Sequence, residues 1–316
     1  MSDTFAVYEP PSIFHQEWWL EIASRGRFAS IDIEMGGKIV SRFPFLVKKT
    51  LGSSVIKMPK YTRVLGPYFS LPQSKSFRYE QNIRHVVEKT IERLPKYDGI
   101  HFFVDPDNES LLAFRLAGFK ILHEFTFRIM PEKSLDAVWQ DCDHKTRNLI
   151  RTADKKLSVQ QAGECETFIA LVQRELPHNH HDFPLLKALF EAAYQRGQAT
   201  ALYAYDQEKL VSAALLIWDE KTLYFWQSAR CRRSKVPGMT MLLIWKAIEQ
   251  AKERHLIFDF DSFGSVRTAK MLASFGQKPV PRPEIRFGTW KYNIKRYMID
   301  TLQKHILKKY RSYDLY

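Results

Sequence analysis

The sequence predicts an α/β chain of two mixed sheet-and-helix units in tandem. Two observations carry this prediction. Runs rich in β-branched and aromatic residues alternate with stretches of helical periodicity along almost all of the 316 residues, and 45% hydrophobic content at that length suffices for two packed cores. The first α/β pattern closes at Pro131, so the expected division is residues 1–130, residues 131–290 and a basic amphipathic C-terminal helix over 291–316.

In the first unit, Phe28–Glu34 and Lys38–Val47 flank Gly36-Gly37. A Gly pair adopts positive φ at little cost, which makes this a hairpin. Residues 58–72 are dense in Pro and Gly and predict a long irregular segment, of the kind that lines a site or packs against another unit. A helix near Arg78–Leu94, a strand at Gly99–Val104, a helix near Asn108–Ala117 and a strand at Phe119–Ile129 follow. The second unit opens with a helix expected from Ser134 to Lys156. Arg147, Arg151 and Lys155 share one side of it, with Leu149, Ile150 and Ala153 roughly opposite. That stripe is either a solvated face or a ligand contact. Strand Ser158–Gln161, helix Glu164–Leu176, a loop over 177–184, helix Leu185–Arg196 and strands Ala199–Tyr205 and Leu210–Trp218 complete the approach.

The most informative stretch comes next. Thr222–Ser228 is apolar on both faces, with Leu223 and Phe225 on one and Tyr224 and Trp226 on the other, so it reads as an interior strand. Pro237-Gly238 punctuates the chain, and Met241, Ile244, Ile248 and Ala251 then recur at helical spacing. A second short strand, Leu256–Ser262, follows the helix. The N–H groups of a helix's first turn lack intrahelical partners and attract anions, and Arg232, Arg233 and Lys235 add positive charge just upstream. Such a turn can cradle the phosphates of a carrier, or it is an ordinary connection with a solvated basic surface.

Composition bounds the partners. The formal charge of +13 calls for an anionic one, whether nucleic acid, phosphorylated cofactor or acidic membrane. The three cysteines Cys142, Cys165 and Cys231 are widely spaced and fit a reducing compartment. The first residues carry neither a basic start nor an apolar core, and no apolar run approaches the ~20 residues that span a bilayer. The expected location is cytoplasmic, with peripheral membrane contact left open. His178, His180, His181 and Asp182 form a polar loop whose extended spacing argues against a closed metal site. Nothing in the chain has the pattern of a nucleophile elbow or a Walker-type phosphate loop.

Three motifs, in order, carry a resemblance: Tyr61–Pro67 (Tyr-Thr-Arg-Val-Leu-Gly-Pro), Arg147–Lys155 (Arg-Asn-Leu-Ile-Arg-Thr-Ala-Asp-Lys), and Phe258–Ser262 (Phe-Asp-Phe-Asp-Ser) with Phe275-Gly276. Together they resemble the FemAB-like acyltransferases of the GNAT superfamily, over about Trp18 to Lys291. The resemblance implies two tandem GNAT-like domains, each a mixed sheet flanked by helices, and transfer of an acyl or aminoacyl group to an amine. It implies that Ala229, Arg230, Arg232, Arg233, Lys235, Val236, Gly238, Met239 and Thr240 hold the anionic donor. Asp261, Ser262 and Tyr224 are then the candidate catalytic residues, and Arg147, Arg151, Trp226 and Asp259 the acceptor contacts. Within the family the donor is either an acyl-CoA thioester such as acetyl-CoA or an aminoacyl-tRNA. The chain has no long charged helical-hairpin insertion of the kind some tRNA-dependent members carry, which points to acyl-CoA. It also departs from their Phe-Lys before Phe-Gly: Met271-Leu272 precedes Ala273-Ser274-Phe275-Gly276, so no catalytic Lys is carried over.

The expected chemistry is direct attack by a neutral amine of an amino sugar, a lipid-linked precursor or another acceptor. It needs orientation, removal of one proton and stabilisation of an oxyanion, for which the N–H groups near Ala229 or Arg230 are the backbone candidates. In the C-terminal stretch, Ile294, Met298, Leu302, Ile306 and Tyr310 recur every fourth residue among lysines and arginines. Such a helix packs across the domains or lies on an anionic membrane. Two rivals to the acyl-CoA reading are an aminoacyl-tRNA-dependent transferase and a non-catalytic basic module that binds RNA or membrane.

Overall fold

The computed structural model describes residues 10–50, 52–261 and 265–306, with side chains for all of these but residues 50, 300 and 302–306. The chain forms two compact units, one from the N-terminal part through Phe125 together with residues from Pro281 onward, the other Thr126–Val280.

Unit 1 begins with α1 (Glu17–Ser24) and the hairpin of β1 (Phe28–Met35) and β2 (Lys38–Thr50), which turns through Gly36 at φ 59° and Gly37 at φ 75°. β3 (Ser53–Lys57) runs antiparallel to β2, and the two-residue β4 (Tyr68–Phe69) also pairs with β2. After α2 (Ser76–Arg93), β5 (Gly99–Phe103) lies parallel to β3, and α3 (Leu111–Leu116) follows. The sheet ends on β12 (Pro279–Gly288), antiparallel to β5 from Glu284↔Phe103 to Gly288↔Gly99, and its order is β1-β2-β3-β5-β12. Phe43, Phe102, Phe114 and Phe119 pack through its core in tilted and edge-on contacts. The 58–72 segment is irregular apart from β4, as its prolines and glycines predict.

α10 (Trp290–Ile306) closes unit 1. Its Tyr292 sits against Gly99, where a Cβ would lie 2.5 Å from the ring. Of the expected apolar stripe, Ile294 and Met298 are exposed, as are Trp290 and Tyr297. At 100° per residue these four lie opposite Tyr292 and Ile299, so the apolar periodicity marks a free face, while the packed side is built on one aromatic ring and the stems of cations. Leu302 and Ile306 have no described side chain, and Tyr310 lies outside the described residues.

Unit 2 takes its first strand from the end of β6 (Lys120–Ile129). The helix expected over 134–156 is two helices, α4 (Leu135–Asp141) and α5 (His144–Asp154). The break has a local cause. Ser134 caps α4 by accepting from the Ala137 N–H, and Asp143 caps α5 by accepting from the Lys145 N–H. Then come β7 (Ser158–Ala162), α6 (Glu166–Glu175), α7 (Phe183–Gln195), β8 (Ala199–Asp206), β9 (Lys209–Trp218), β10 (Thr222–Arg230), α8 (Met239–Glu253), β11 (Ile257–Asp259) and α9 (Val266–Ala273). The sheet order is β6-β11-β10-β9-β8-β7, with β10 and β11 the parallel pair. Each unit is thus a mixed sheet with helices, and each has one parallel pair bridged by a helix, β3-α2-β5 and β10-α8-β11.

His15 ties the N-terminal segment to unit 1. Its Nδ1 bonds Ser12 Oγ at 2.8 Å, its Nε2 meets Gly66 O at 3.2 Å, and burial holds the imidazole down at about 4 against the opposing effects of Gly66 and Asp105. The unfolded chain therefore binds a proton that the folded chain refuses between pH 6.5 and about 4. Stability should be fully present above pH 6.5 and fall as pH drops through that window, by up to roughly 3 kcal/mol from this group. Urea midpoints measured across it should show the slope. His15→Gln should reduce the slope without abolishing it, because His101 is likewise held at about 4.

Candidate active site

β10 forks away from β11. The parallel pairing covers only Thr222↔Ile257, Leu223↔Phe258 and Tyr224↔Asp259, while β10 runs on to Arg230 along β9. A bulge between Tyr224 and Gln227 shifts its register on β9 and re-aims the strand. β11 stays with β6, through Phe258↔Ile129, Asp259↔Arg128 and a hydrogen bond from the Phe260 N–H to Phe127 O at 3.1 Å. The pairing of β10 with β11 thus ends at Tyr224 and Asp259, and β10 continues along β9.

The ladder decides which N–H groups turn away from β9. Cys231 N–H donates to Val211 O at 2.8 Å, and Arg230 is opposite Ser212. Hydrogen-bonded pairs alternate in an antiparallel ladder, so Ala229 directs its N–H to β9, whereas Ser228 and Arg230 direct theirs away from it. Of the two backbone candidates, Ala229 directs its N–H into the ladder and Arg230 directs its N–H away from β9. Tyr224 and Trp226 are buried in the same strand, as are Leu223 and Phe225 on its other face.

The turn that follows is anchored at three points and charged between them. Val236 and Met239 are buried, Arg232, Arg233 and Lys235 are exposed, and Thr240 is half-buried. The Arg232 N–H donates to Glu175 Oε2 at 2.9 Å, a bond that heads the causes holding the Glu175 carboxyl below its ordinary range. Gly238 starts α8 at φ 79°, and its O accepts the Leu242 N–H at 2.8 Å. A Cβ on Gly238 would lie 2.3 Å from Leu149 O, so only glycine admits the backbone of α5 beside the first turn of α8.

On the other wall of the fork, Asp259 is fully buried with both oxygens engaged. Oδ1 accepts from Thr126 Oγ1 at 2.6 Å and from the Asp261 N–H at 2.7 Å, and Oδ2 accepts from Arg128 Nε at 2.8 Å. This carboxylate, expected among the acceptor contacts, is bound to the protein on both sides. Asp261 is also buried and stands at φ 64°, a left-handed conformation that Asp tolerates better than most residues. Ser262, expected beside it as a catalytic residue, lies outside the described residues.

Arg147 and Arg151 turn to α4. Arg147 Nη1 donates to Trp139 O, Gln140 O and Cys142 O at 3.3, 2.8 and 3.0 Å, serving carbonyls at the end of that helix. Arg151 lies over the Trp139 ring at 5.2 Å, and Trp139 packs edge-on against Trp245 of α8. Their spacing records the joint between α4, α5 and α8. The Phe275-Gly276 motif is structural too: Phe275 is buried, and a Cβ on Gly276 would meet Asp141 O at 2.1 Å. In the histidine loop, Asp182 caps α7 and His181 stacks on Phe183. Thr126, Arg128 and Glu175 belong to none of the motifs that mark the site in the sequence. Polar residues alternating through the apolar end of β6 were the available signal for the first two.

Residues 144–267 match a family described as an acetyltransferase (GNAT) domain, a span that contains β10, α8 and β11. No curated protein matches the chain. Among solved structures, FemX is similar over 90% of this chain and 93% of its own, at 13% identity and a TM-score of 0.63. The C-terminal domain of a putative lysylphosphatidylglycerol synthetase from Agrobacterium fabrum is similar over 90% and 94%, at 14% identity and 0.52. A tandem GNAT protein from the clavulanic acid biosynthesis pathway is similar over 83% and 82%, at 10% identity and 0.51. The fold is therefore the GNAT fold, and the domain match together with that fold supports an acyltransferase.

Two substitutions test the framework. Gly238→Ala should destabilise the chain by at least about 1–2 kcal/mol from the left-handed backbone alone, read as a lowered denaturant midpoint. Arg128→Leu leaves Asp259 buried without its cation and should lower stability by about 3–5 kcal/mol. The double variant with Asp259→Leu should recover part of that loss.

Proposed function

We propose that the chain is an acyl-CoA-dependent N-acyltransferase, most simply an acetyltransferase, acting on an amine of a sugar or cell-envelope precursor. The observation that carries this reading is the fork of β10 from β11 immediately ahead of a basic turn and a glycine-started helix. The diphosphate of the carrier rests on the first turn of α8, with Arg232, Arg233 and Lys235 around it. The acyl group lies in the fork. The acceptor amine attacks the thioester carbon, and the N–H of Arg230 receives the developing oxyanion. Asp261 orients the amine and takes its proton, the C–S bond breaks, and the thiolate is protonated near Tyr224 or Ser262. Asp259 fixes the Asp261 turn and Arg147 fixes α4, which makes both positioning residues.

A second reading has its own support. Similarity to FemX and to a lysylphosphatidylglycerol synthetase domain favours an aminoacyl-tRNA donor, with the same basic turn holding the carrier. The exposed Trp290, Ile294, Tyr297 and Met298 support contact with a membrane or a lipid-linked acceptor.

One assay separates the donors. Thiol release from acetyl-CoA across a panel of amino sugars should be saturable and insensitive to RNase. Arg232→Gln with Arg233→Gln should raise KM for acetyl-CoA about tenfold with kcat nearly kept, and Asp261→Asn should lower kcat by about 10²–10⁴. No thiol release with any amine, together with RNase-sensitive transfer from charged tRNA, would replace acyl-CoA by the second donor. Neither transfer would leave a binding module.

A further inference from the structure

Between Leu210 and Ile217, β9 is aliphatic except for Ser212, which is fully buried. A hydroxyl placed in such surroundings costs free energy unless it is bonded. Its bond crosses to β10, where Ser212 Oγ donates to Ala229 O at 3.1 Å.

That carbonyl has a second donor. Ala229↔Ala213 is a hydrogen-bonded pair of the ladder, in phase with the bond from the Cys231 N–H to Val211 O, so the Ala213 N–H reaches Ala229 O as well. The ladder is therefore complete without the hydroxyl, which adds a bond that strand pairing does not need. The peptide that receives it joins Ala229 to Arg230, and its other end is the Arg230 N–H. In a trans peptide the C=O and N–H point in opposite directions. With the oxygen held toward β9 by two donors, the N–H is held away from β9, beyond the point where β10 stops pairing with β11 at Tyr224.

We infer that Ser212 is a positioning residue for acyl transfer, acting through the Ala229–Arg230 peptide on the N–H that receives the oxyanion. This role rests on the acyl-transfer reading above and holds for either donor, because both form the same oxyanion. As the amine nitrogen bonds to the carbonyl carbon, the π pair moves onto oxygen. When the pair returns, the bond to the carrier breaks, the carrier's sulfur or oxygen leaves with its electrons, and one proton passes from the amine to that leaving atom. Ser212 acts on the charged oxygen in two ways. It fixes the peptide plane, so the N–H needs no reorganisation as charge develops. It also polarises the amide, because a donor on the oxygen strengthens the N–H at the other end. One oxyanion donor is worth about 10²–10³ in kcat and polarisation strengthens a bond by about 10–30%, so the hydroxyl should contribute about two- to eightfold.

The test uses the full chain and whichever donor the wild type consumes. Ser212→Ala should lower kcat by about two- to eightfold with KM for the donor unchanged. Its denaturant midpoint should stay close to wild type, because Ala213 still serves Ala229 O. Ser212→Thr keeps the hydroxyl and should restore kcat, whereas Ser212→Val has the same shape without it and should not. In protein carrying isotope-labelled arginine, the Arg230 amide proton is identified by its loss in Arg230→Lys. That resonance should move upfield in Ser212→Ala and Ser212→Val and stay near its wild-type position in Ser212→Thr. Full kcat in Ser212→Ala overturns the role. A kcat that merely follows the denaturant midpoint across the variants, or an Arg230 resonance indifferent to the hydroxyl, makes Ser212 a packing residue and overturns it too. Wild-type protein that transfers from neither donor removes the reaction itself, a result distinct from an active wild type with an equally active Ser212→Ala.

Discussion

Asp259 is the last residue of β11 paired on both sides, to Tyr224 of β10 and to Arg128 of β6, and its carboxylate keeps β11 on β6 after β10 has left. Arg128 and Thr126 reach it from β6, and the N–H of Asp261 reaches it from the chain beyond the strand. A carboxylate in an apolar interior persists only when its charge is answered and its lone pairs are filled. The same bonds therefore stabilise the strand end and hold the Asp261 turn in its left-handed conformation. The bulge in β10 does the complementary work, since it bends that strand toward β9 without breaking its ladder.

Unit 1 contains the same strand–helix–strand arrangement and no fork, and the difference is physical. β3 ends at Lys57, which is still paired with His101, so no length of strand runs on to part from its neighbour. The irregular segment that follows then fills the place where an opening would form: the Leu65 N–H donates to Phe103 O at 2.8 Å, and Gly66 lies so close to Val104 that a Cβ would sit 2.3 Å from its Cγ1. The prolines and glycines of 58–72 thus seal the end of β5. In unit 2 the corresponding connection is eight residues, Cys231 to Gly238.

Much of this was legible in the sequence. The hairpin at Gly36-Gly37, the interior strand at Thr222–Ser228 and the glycine-started helix follow from local rules about φ, alternation and periodicity. What was not legible depends on contacts far apart in the chain. Arg147 and Arg151 look like a ligand stripe because their spacing is helical, yet the break at Cys142-Asp143 turns them to α4, and only the cap at Asp143 hinted at it. β12 has no counterpart among the expected strands: Pro279, Pro281 and Pro283 bring no ladder donors, and its ladder with β5 begins at Glu284, after the last of them. Asp259 and Asp261 are two residues apart in one motif, and nothing local separates the carboxylate that holds the strand from the one beside the fork. The partners from β6 make that distinction.

Charge alone does not choose the donor. Arg232, Arg233 and Lys235 are exposed, carry long flexible stems and suit any carrier phosphate, whether the diphosphate of CoA or the backbone of an RNA. Discrimination must come from what the fork admits. Where β10 leaves β11, Tyr224 is 2% exposed and Trp226 1% exposed, so the strand is packed with bulky aromatic side chains at that point. Rigid walls of that kind tolerate a small transferred group and reject a larger one sharply, because overfilling a packed interior costs about 1–3 kcal/mol per misfit. A short acyl chain meets that constraint with least displacement. An aminoacyl group would also bring a charged ammonium, for which Asp261 is the carboxylate the acyl-CoA reading already assigns to the acceptor. The acyl-CoA reading thus asks Asp261 to serve the acceptor amine, and the aminoacyl reading asks the same carboxylate to serve two amines at once.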